Sequence, residues 1–219
     1  MKKTNLIKSI FMVACCVFFT VACQNDATVD DGTDVRKYGG DGVGGDSLYA
    51  NAEGFDIAVW GSWNTKSAPI AAVTDGSDGG VRLTSIDRPD TGTYMGVNLA
   101  AGSGDGANAD LNGNGFKQIK CKLRGVVKPE YTSLYIINGA GDSKVEVGKD
   151  TKLSSYVTEL SETEWVEVTI TGLNSTAAMS SGLIVFADND GCAIGDWIEI
   201  KNIDWQDENG NSVVPVYVK

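Results

Sequence analysis

The chain has 219 residues, 42% of them hydrophobic, with 18 Lys and Arg against 29 Asp and Glu, a formal net charge of −11 and no histidine. Without a histidine base, Ser-His-Asp and Cys-His nucleophiles are excluded, as are the usual His-containing zinc sites. An acidic surface also repels phosphate backbones, whose binding depends on Lys and Arg releasing counterions, so no nucleic-acid partner is expected.

The chain opens with Lys2, Lys3 and Lys8, continues through an apolar core over residues 9–22 and reaches small Ala22 directly before Cys23. A membrane-spanning helix needs about 20 apolar residues, whereas a secretory signal needs only roughly 7–15 followed by small residues. Residues 1–22 therefore read as a signal peptide. Thr20-Val21-Ala22-Cys23 resembles the lipobox of bacterial lipoproteins, although Thr20 departs from the leucine-like residue usual at that place. The resemblance implies acylation of Cys23 as the mature N-terminus, with lipid chains contributing roughly 0.8 kcal/mol per buried CH₂ to a membrane anchor. Cys15 competes less well, because cutting there would leave the apolar run CCVFFTVA on the mature chain. The expected location is the cell envelope, anchored to the outer membrane.

Losing the three signal lysines leaves 15 basic against 29 acidic residues, a net charge of −14. Residues 23–47 are rich in Asp and Gly and almost devoid of apolar side chains. Such a stretch cannot bury enough surface to offset its ordering entropy and reads as a flexible tether. Its acidic start resembles the export tag of surface lipoproteins in some Gram-negative phyla, which places the cell surface among the expected locations.

From residue 48 to 219 the pattern turns to short period-2 segments separated by Gly, Asn and Asp, which predicts an all-β antiparallel sandwich of the jelly-roll type. In chain order, strands are expected over 55–60, 81–86, 93–99, around Ile119-Lys120-Cys121-Lys122-Leu123-Arg124, over 133–138, over Val166 to Ile170, over 183–187 and over 197–205. The alternation around Cys121 puts Ile119, Cys121 and Leu123 on one face and three cations on the other, as in a half-buried antiparallel strand. Only Lys149 to Leu160 could hold a helical turn. Cys121 and Cys192 are the cysteines left beyond Cys23, and an exported domain could join them. The geometry of such a bridge is not in the sequence, so bridge and free thiols both stay open.

Three stretches carry a resemblance: Asp110 to Phe116 leading into IKCKLRG, Leu160 to Ile170 with Trp165 at the start of a strand, and Trp197 to Trp205 followed by DENGN. Together they resemble the β-jelly-roll carbohydrate-binding modules of bacterial polysaccharide-degrading systems, which have a galactose-binding-like sandwich. The resemblance covers residues 110–211, about half of the mature chain. It implies a noncatalytic domain that holds carbohydrate, by stacking aromatic rings on pyranose faces while Asn, Asp and similar groups bond the hydroxyls. The expected partners are a carbohydrate ligand and, through the lipid on Cys23, the membrane, and the protein is expected to be a monomer.

Candidate ligand-binding residues are aromatics not needed for the core. Trp60 and Trp63 lie in AVWGSWN, where Gly61, Ser62 and Asn64 suggest a strand end or loop. With Met95, Val97 and Leu99 on one core face and Leu134 and Ile136 on another, Tyr94, Asn98 and Tyr135 are expected to point outward. Trp165 and Trp205 fit packing positions in the resembling family, and Trp197 is a weaker candidate than Trp60 and Trp63.

No cofactor is expected, with structural calcium the one metal weighed. Asp110-x-Asn112-x-Asn114-Gly115 matches the first half of a calcium loop, but Cys121 stands where a bidentate Glu should close the shell, and the stretch reads better as a turn leading into a strand. Where related modules carry an Asp in the last strand that helps hold calcium, this chain has Lys201. The enzymatic alternative, a jelly-roll glycoside hydrolase or lyase, requires paired carboxylates. Glu162, Glu164 and Glu167 cluster in a loop and on a solvated strand face, and Glu199-Ile200-Lys201-Asn202-Ile203-Asp204 has Lys where an acid is required, so no enzyme activity is expected. A protein-binding adhesin or structural surface lipoprotein is the remaining alternative, since fold does not fix function.

Overall fold

The computed structural model describes residues 36–38, 48–50, 55–59, 71–86, 95–102, 108–188 and 190–218. Cys23, most of the expected tether, Trp60, Trp63 and Tyr94 lie outside the described residues. The described residues form thirteen strands: β1 (Arg36–Tyr38), β2 (Phe55–Val59), β3 (Ala71–Asp75), β4 (Val81–Ser85), β5 (Met95–Ala101), β6 (Leu111–Asn112), β7 (Gln118–Gly125), β8 (Thr132–Asn138), β9 (Val145–Val147), β10 (Val166–Ile170), β11 (Met179–Ala187), β12 (Trp197–Gln206) and β13 (Val216–Tyr217).

They form two antiparallel sheets that make a β-sandwich. The larger runs β1-β2-β5-β11-β6-β13, with β8 pairing the other side of β11 and β9 pairing β8; the smaller runs β10-β7-β12-β4-β3. β1 lies within the stretch that composition alone assigns to the tether, and it pairs β2 antiparallel. The expected helical turn is a 3-10 turn at Leu153–Ser155. Among the described residues no helix is long and apolar enough to cross a membrane.

The core lies between the sheets and is built by the alternation read from the sequence. Ile119, Cys121 and Leu123 of β7 turn inward with Ile198 and Ile200 of β12, against Met95, Val97 and Leu99 of β5 and Leu134 and Ile136 of β8. Alternation fails once on β12. The register advances from Lys201 opposite Lys122 to Asp204 opposite Lys120, leaving one extra residue on β12, and Asn202 in this bulge has φ 53°. The bulge returns Ile203 and Trp205 to the inner face, where a period-2 continuation from Ile200 would have turned them outward.

Trp205 anchors an aromatic cluster. Its ring stacks on Tyr49 at 5.7 Å and tilts against Phe55 at 5.2 Å, and its indole Nε1 donates to the carbonyl of Gly182 at 2.9 Å. The Tyr49 hydroxyl donates to the carbonyl of Leu99, which ties the segment 48–50 across to β5. The expected packing role of Trp205 holds, and removing a core aromatic of this kind costs about 3–5 kcal/mol. Cys121 and Cys192 are both buried, and no bridge joins them. The Asp110–Gly115 stretch holds the short strand β6 and then turns toward β7: the Asn114 amide donates to Asn112 Oδ1 at 2.8 Å, and Asn114 Nδ2 donates to the carbonyl of Val214 at 2.7 Å.

Candidate functional site

The sandwich has two faces turned away from its core, and their chemistry is opposite. On the smaller sheet, the alternation that buries Ile119, Cys121 and Leu123 sends Lys120, Lys122 and Arg124 outward, and the same parity on β12 sends out Glu199 and Lys201. Register sets Arg124 opposite Glu199 and Glu199 opposite Arg82, and it places Trp165, just before β10, at the level of Arg124.

Glu199 is the hub of this face, with only 1% of its side chain exposed. Arg82 Nε donates to its Oε1 at 2.7 Å and Arg124 Nε donates to its Oε2 at 2.7 Å. Burying an ion of this kind costs several kcal/mol unless charged partners satisfy it. Burial by itself would raise the Glu199 carboxyl pKa; the hydrogen bonds and charges of Arg124 and Arg82 outweigh that and hold it below the ordinary value. Arg124 Nη2 also donates to Ser77 Oγ at 2.6 Å, so the β3–β4 hairpin is fastened onto the sheet.

The arginines extend this network to two indoles. The Arg82 guanidinium sits 3.9 Å from the centroid of the Trp197 ring. Trp165 covers two cations, Arg124 at 4.7 Å and Lys201 at 4.5 Å from its centroid. Asp78 Oδ2 accepts from both Trp165 Nε1 and Lys201 Nζ, each at 3.4 Å. Asp78 reaches over the sheet because the hairpin turns tightly, with φ 54° at Asp78 and 75° at Gly79. Gly80 then runs so close to β12 that a Cβ there would lie 2.7 Å from the carbonyl oxygen of Ile200. Both indoles are half-exposed, which sets them apart from Trp205.

The larger sheet presents the other face. Asn98, Ile184 and Tyr135 stand in one cross-strand row over β5, β11 and β8. Asn98 and Tyr135 do turn away from the core lined by Leu134 and Ile136, but they are 3% and 0% exposed, where open positions were expected. Neighbours on the same face close the row: Ser181 Oγ donates to Asn98 Oδ1 at 2.7 Å, and apolar side chains surround the phenol. Tyr135 packs with Ile137 and Ile184, with half-buried Phe186 against them. Lys149, bonded to Glu146 at 2.6 Å, stands 5.8 Å from the Tyr135 ring. The Tyr135 hydroxyl is buried without a hydrogen-bond partner. Burial, and then the Glu146 charge, push its pKa well above the ordinary range.

Among the described residues, neither face offers a carboxylate pair arranged for acid/base work. Glu199 has both oxygens engaged by guanidinium groups and stays ionised, so it is no proton donor. Asp188 faces Lys152 at 3.5 Å. Asp207, in the DENGN turn, accepts from the backbone amides of Asn209 and Asn211 and from Asn211 Nδ2. What the smaller sheet does offer is two aromatic surfaces held in fixed orientation by cations. Sequence reasoning placed Trp165 in packing and left Arg82, Arg124 and Glu199 unconnected. The outward cations of β7 were visible in the alternation, but the adjacency of β7, β12 and β4 was not.

No family model matches the chain, and no curated protein matches it. Several solved structures share its general architecture. One is a family 30 carbohydrate-binding module, at 13% identity and TM-score 0.43, covering 85% of this chain and 91% of that one. Another is the family 30 module of a cellulosomal cellulase of Clostridium thermocellum, at 14% identity and TM-score 0.40, covering 83% and 98%. A family 29 carbohydrate-binding module variant complexed with mannohexaose matches at 14% identity and TM-score 0.39, covering 78% and 91%. Likeness this slight assigns this chain neither a family nor a ligand.

Proposed function

We propose that this protein is a noncatalytic binding lipoprotein, tethered to the cell envelope through Cys23, that captures carbohydrate with an outer face of its sandwich. The observation that carries the reading is the pair of half-exposed indoles, Trp165 and Trp197, each pinned against guanidinium or ammonium groups rooted in the sheet. An aromatic ring fixed before the ligand arrives offers a pyranose a large apolar contact with little ordering cost. The hydrogen-bonding groups that such a ligand needs lie alongside, on Arg82, Lys122 and Thr74 of the same sheet. The complete lack of histidine and the double engagement of Glu199 favour binding over catalysis.

A glycan array tests this with the chain from Cys23 carrying Cys23→Ser. Binding to one or more glycans that falls at least tenfold in Trp165→Ala or Trp197→Ala supports the reading. Loss confined to Trp60→Ala, Trp63→Ala, Tyr94→Ala, Asn98→Ala or Tyr135→Phe would keep carbohydrate capture and move it to the sites expected from sequence. No binding to any glycan sinks it and leaves the adhesin alternative. The anchor is tested separately: Cys23→Ser is expected to shift the full-length protein from the detergent-extracted membrane fraction to the aqueous one, and an unchanged distribution refutes acylation at that residue.

A further inference from the structure

The face that holds Trp165 contains a cation, Lys122, that has no ion pair among the described residues. Lys122 is half-buried on β7, and its four nearest outward neighbours are Lys120 and Arg124 along the strand, Glu167 on β10 and Lys201 on β12. Three of the four are themselves positive. The one carboxylate, Glu167, pairs with Lys120 at 2.8 Å. Arg124 is taken by Glu199 at 2.7 Å and Lys201 by Asp78 at 3.4 Å. Like charges directly opposite one another, as Lys122 and Lys201 are, destabilise a sheet unless something offsets them. In a chain of net charge −11, these pairings leave the Lys122 charge unmatched beside an aromatic platform.

We propose that the Trp165 face takes a uronic-acid-bearing polysaccharide, with a pyranose ring on the Trp165 indole and its carboxylate on the Lys122 ammonium. The inference rests on the carbohydrate reading above and narrows it to a class of sugar. Lys201, which Trp165 covers, is opposite Lys122 in register, so Lys122 borders the rim of the ring. A carboxylate attached directly to a ring carbon extends sideways from a stacked sugar, toward a cation at that rim. Binding there would supply the counter-charge that the four neighbours of Lys122 do not. The overall negative charge of the protein does not forbid this, since at physiological salt the field of distant acidic residues is screened beyond about 8 Å.

The test measures binding of polygalacturonate, dextran sulfate and neutral dextran to the chain from Cys23 carrying Cys23→Ser. Polygalacturonate is expected to bind more tightly than dextran and to weaken as salt rises. Lys122→Gln is expected to weaken it about tenfold, the size of one charge-assisted hydrogen bond, and Lys122→Arg to restore most of the loss. Lys144→Gln, at an exposed lysine on the far side of the domain, is expected to leave binding unchanged, and unchanged thermal midpoints establish that each variant is folded. Polygalacturonate binding that is indifferent to Lys122→Gln, an equal loss in Lys144→Gln, or dependence on Lys122 for dextran sulfate alone would each overturn the proposal. The two readings fail differently. Glycan binding that depends on Trp165 but not on Lys122 removes only the uronate inference, whereas an absence of binding to these polymers and to the glycan array removes both.

Discussion

The two outer faces of this sandwich start from the same instruction, alternate side chains directed away from a shared core, and finish with different solutions. On the smaller sheet a buried carboxylate is compensated by two arginines, and the charges end in half-exposed indoles. On the larger sheet the row Asn98-Ile184-Tyr135 is closed over by apolar neighbours, and its phenol hydroxyl is buried without a partner. Burial therefore does not separate the faces; the way each polar group is satisfied does. The smaller sheet has stored its polar chemistry as fixed charge pairs, and the larger sheet has traded most of its own for packing.

The sharpest way to break the contrast is to remove the hub of the charged face. Glu199→Ala leaves Arg82 and Arg124 facing each other without their carboxylate and is expected to cost about 3 kcal/mol in urea unfolding, because breaking a buried pair strands its partners. A loss below about 1 kcal/mol would mean that water replaces the carboxylate freely and that the face is not desolvated. On the other sheet the sign reverses. Tyr135→Phe removes a hydroxyl that has no partner and is expected to stabilise the domain by about 1 kcal/mol; destabilisation by the same measurement would show that the hydroxyl has a bonding role.

Changing pH should separate the faces from opposite ends. The Glu199 carboxyl has its pKa below the ordinary 4.5 in the folded chain, so its stabilising contribution is present above that value and is lost as pH falls through the folded pKa. The Tyr135 pKa is raised above the ordinary 10, so its contribution is present below pH 10 and declines as pH rises beyond it. Cys121 shares the alkaline limb, since burial, and then the Glu167 charge, push its thiol pKa up from 9.0. Unfolding midpoints measured against pH should thus lose their acid dependence in part with Glu199→Gln and their alkaline dependence in part with Tyr135→Phe, and a swap of these effects would contradict the assignment. The smallest expected effect belongs to Arg82→Lys. It keeps the charge but loses the flat stack on Trp197, for about 0.5 kcal/mol, read alongside a change in tryptophan fluorescence.

How far the sequence carried these features depended on whether a residue's surroundings were local. β7 and β10 were legible because each buries one face only, so Ile119-Cys121-Leu123 and Val168-Ile170 alternate visibly with polar residues. β11 was legible only over its last residues, since Met179 to Gly182 are buried on both sides and include serines that mimic a loop. β6 and β13 are two residues each and β3 is an edge strand, too short or too weakly patterned to stand out. For the site the limit was sharper. Outward Lys120, Lys122 and Arg124 could be read from their spacing, but Glu199 meets Arg82 across 117 positions and Arg124 across 75. The Asn202 bulge hid the outcome further, because it shifts the parity of the strand on which Glu199 lies.

The two buried thiols have a bearing on manufacture. Cys121 and Cys192 sit inside the domain unlinked, and burial raises the pKa of both, so neither offers much reactive thiolate at neutral pH. Nothing in the sandwich then depends on an oxidant to close it. The chain from Cys23 onward should reach the same fold in a reducing cytosol as in an oxidising compartment, and it would tolerate dithiothreitol throughout purification.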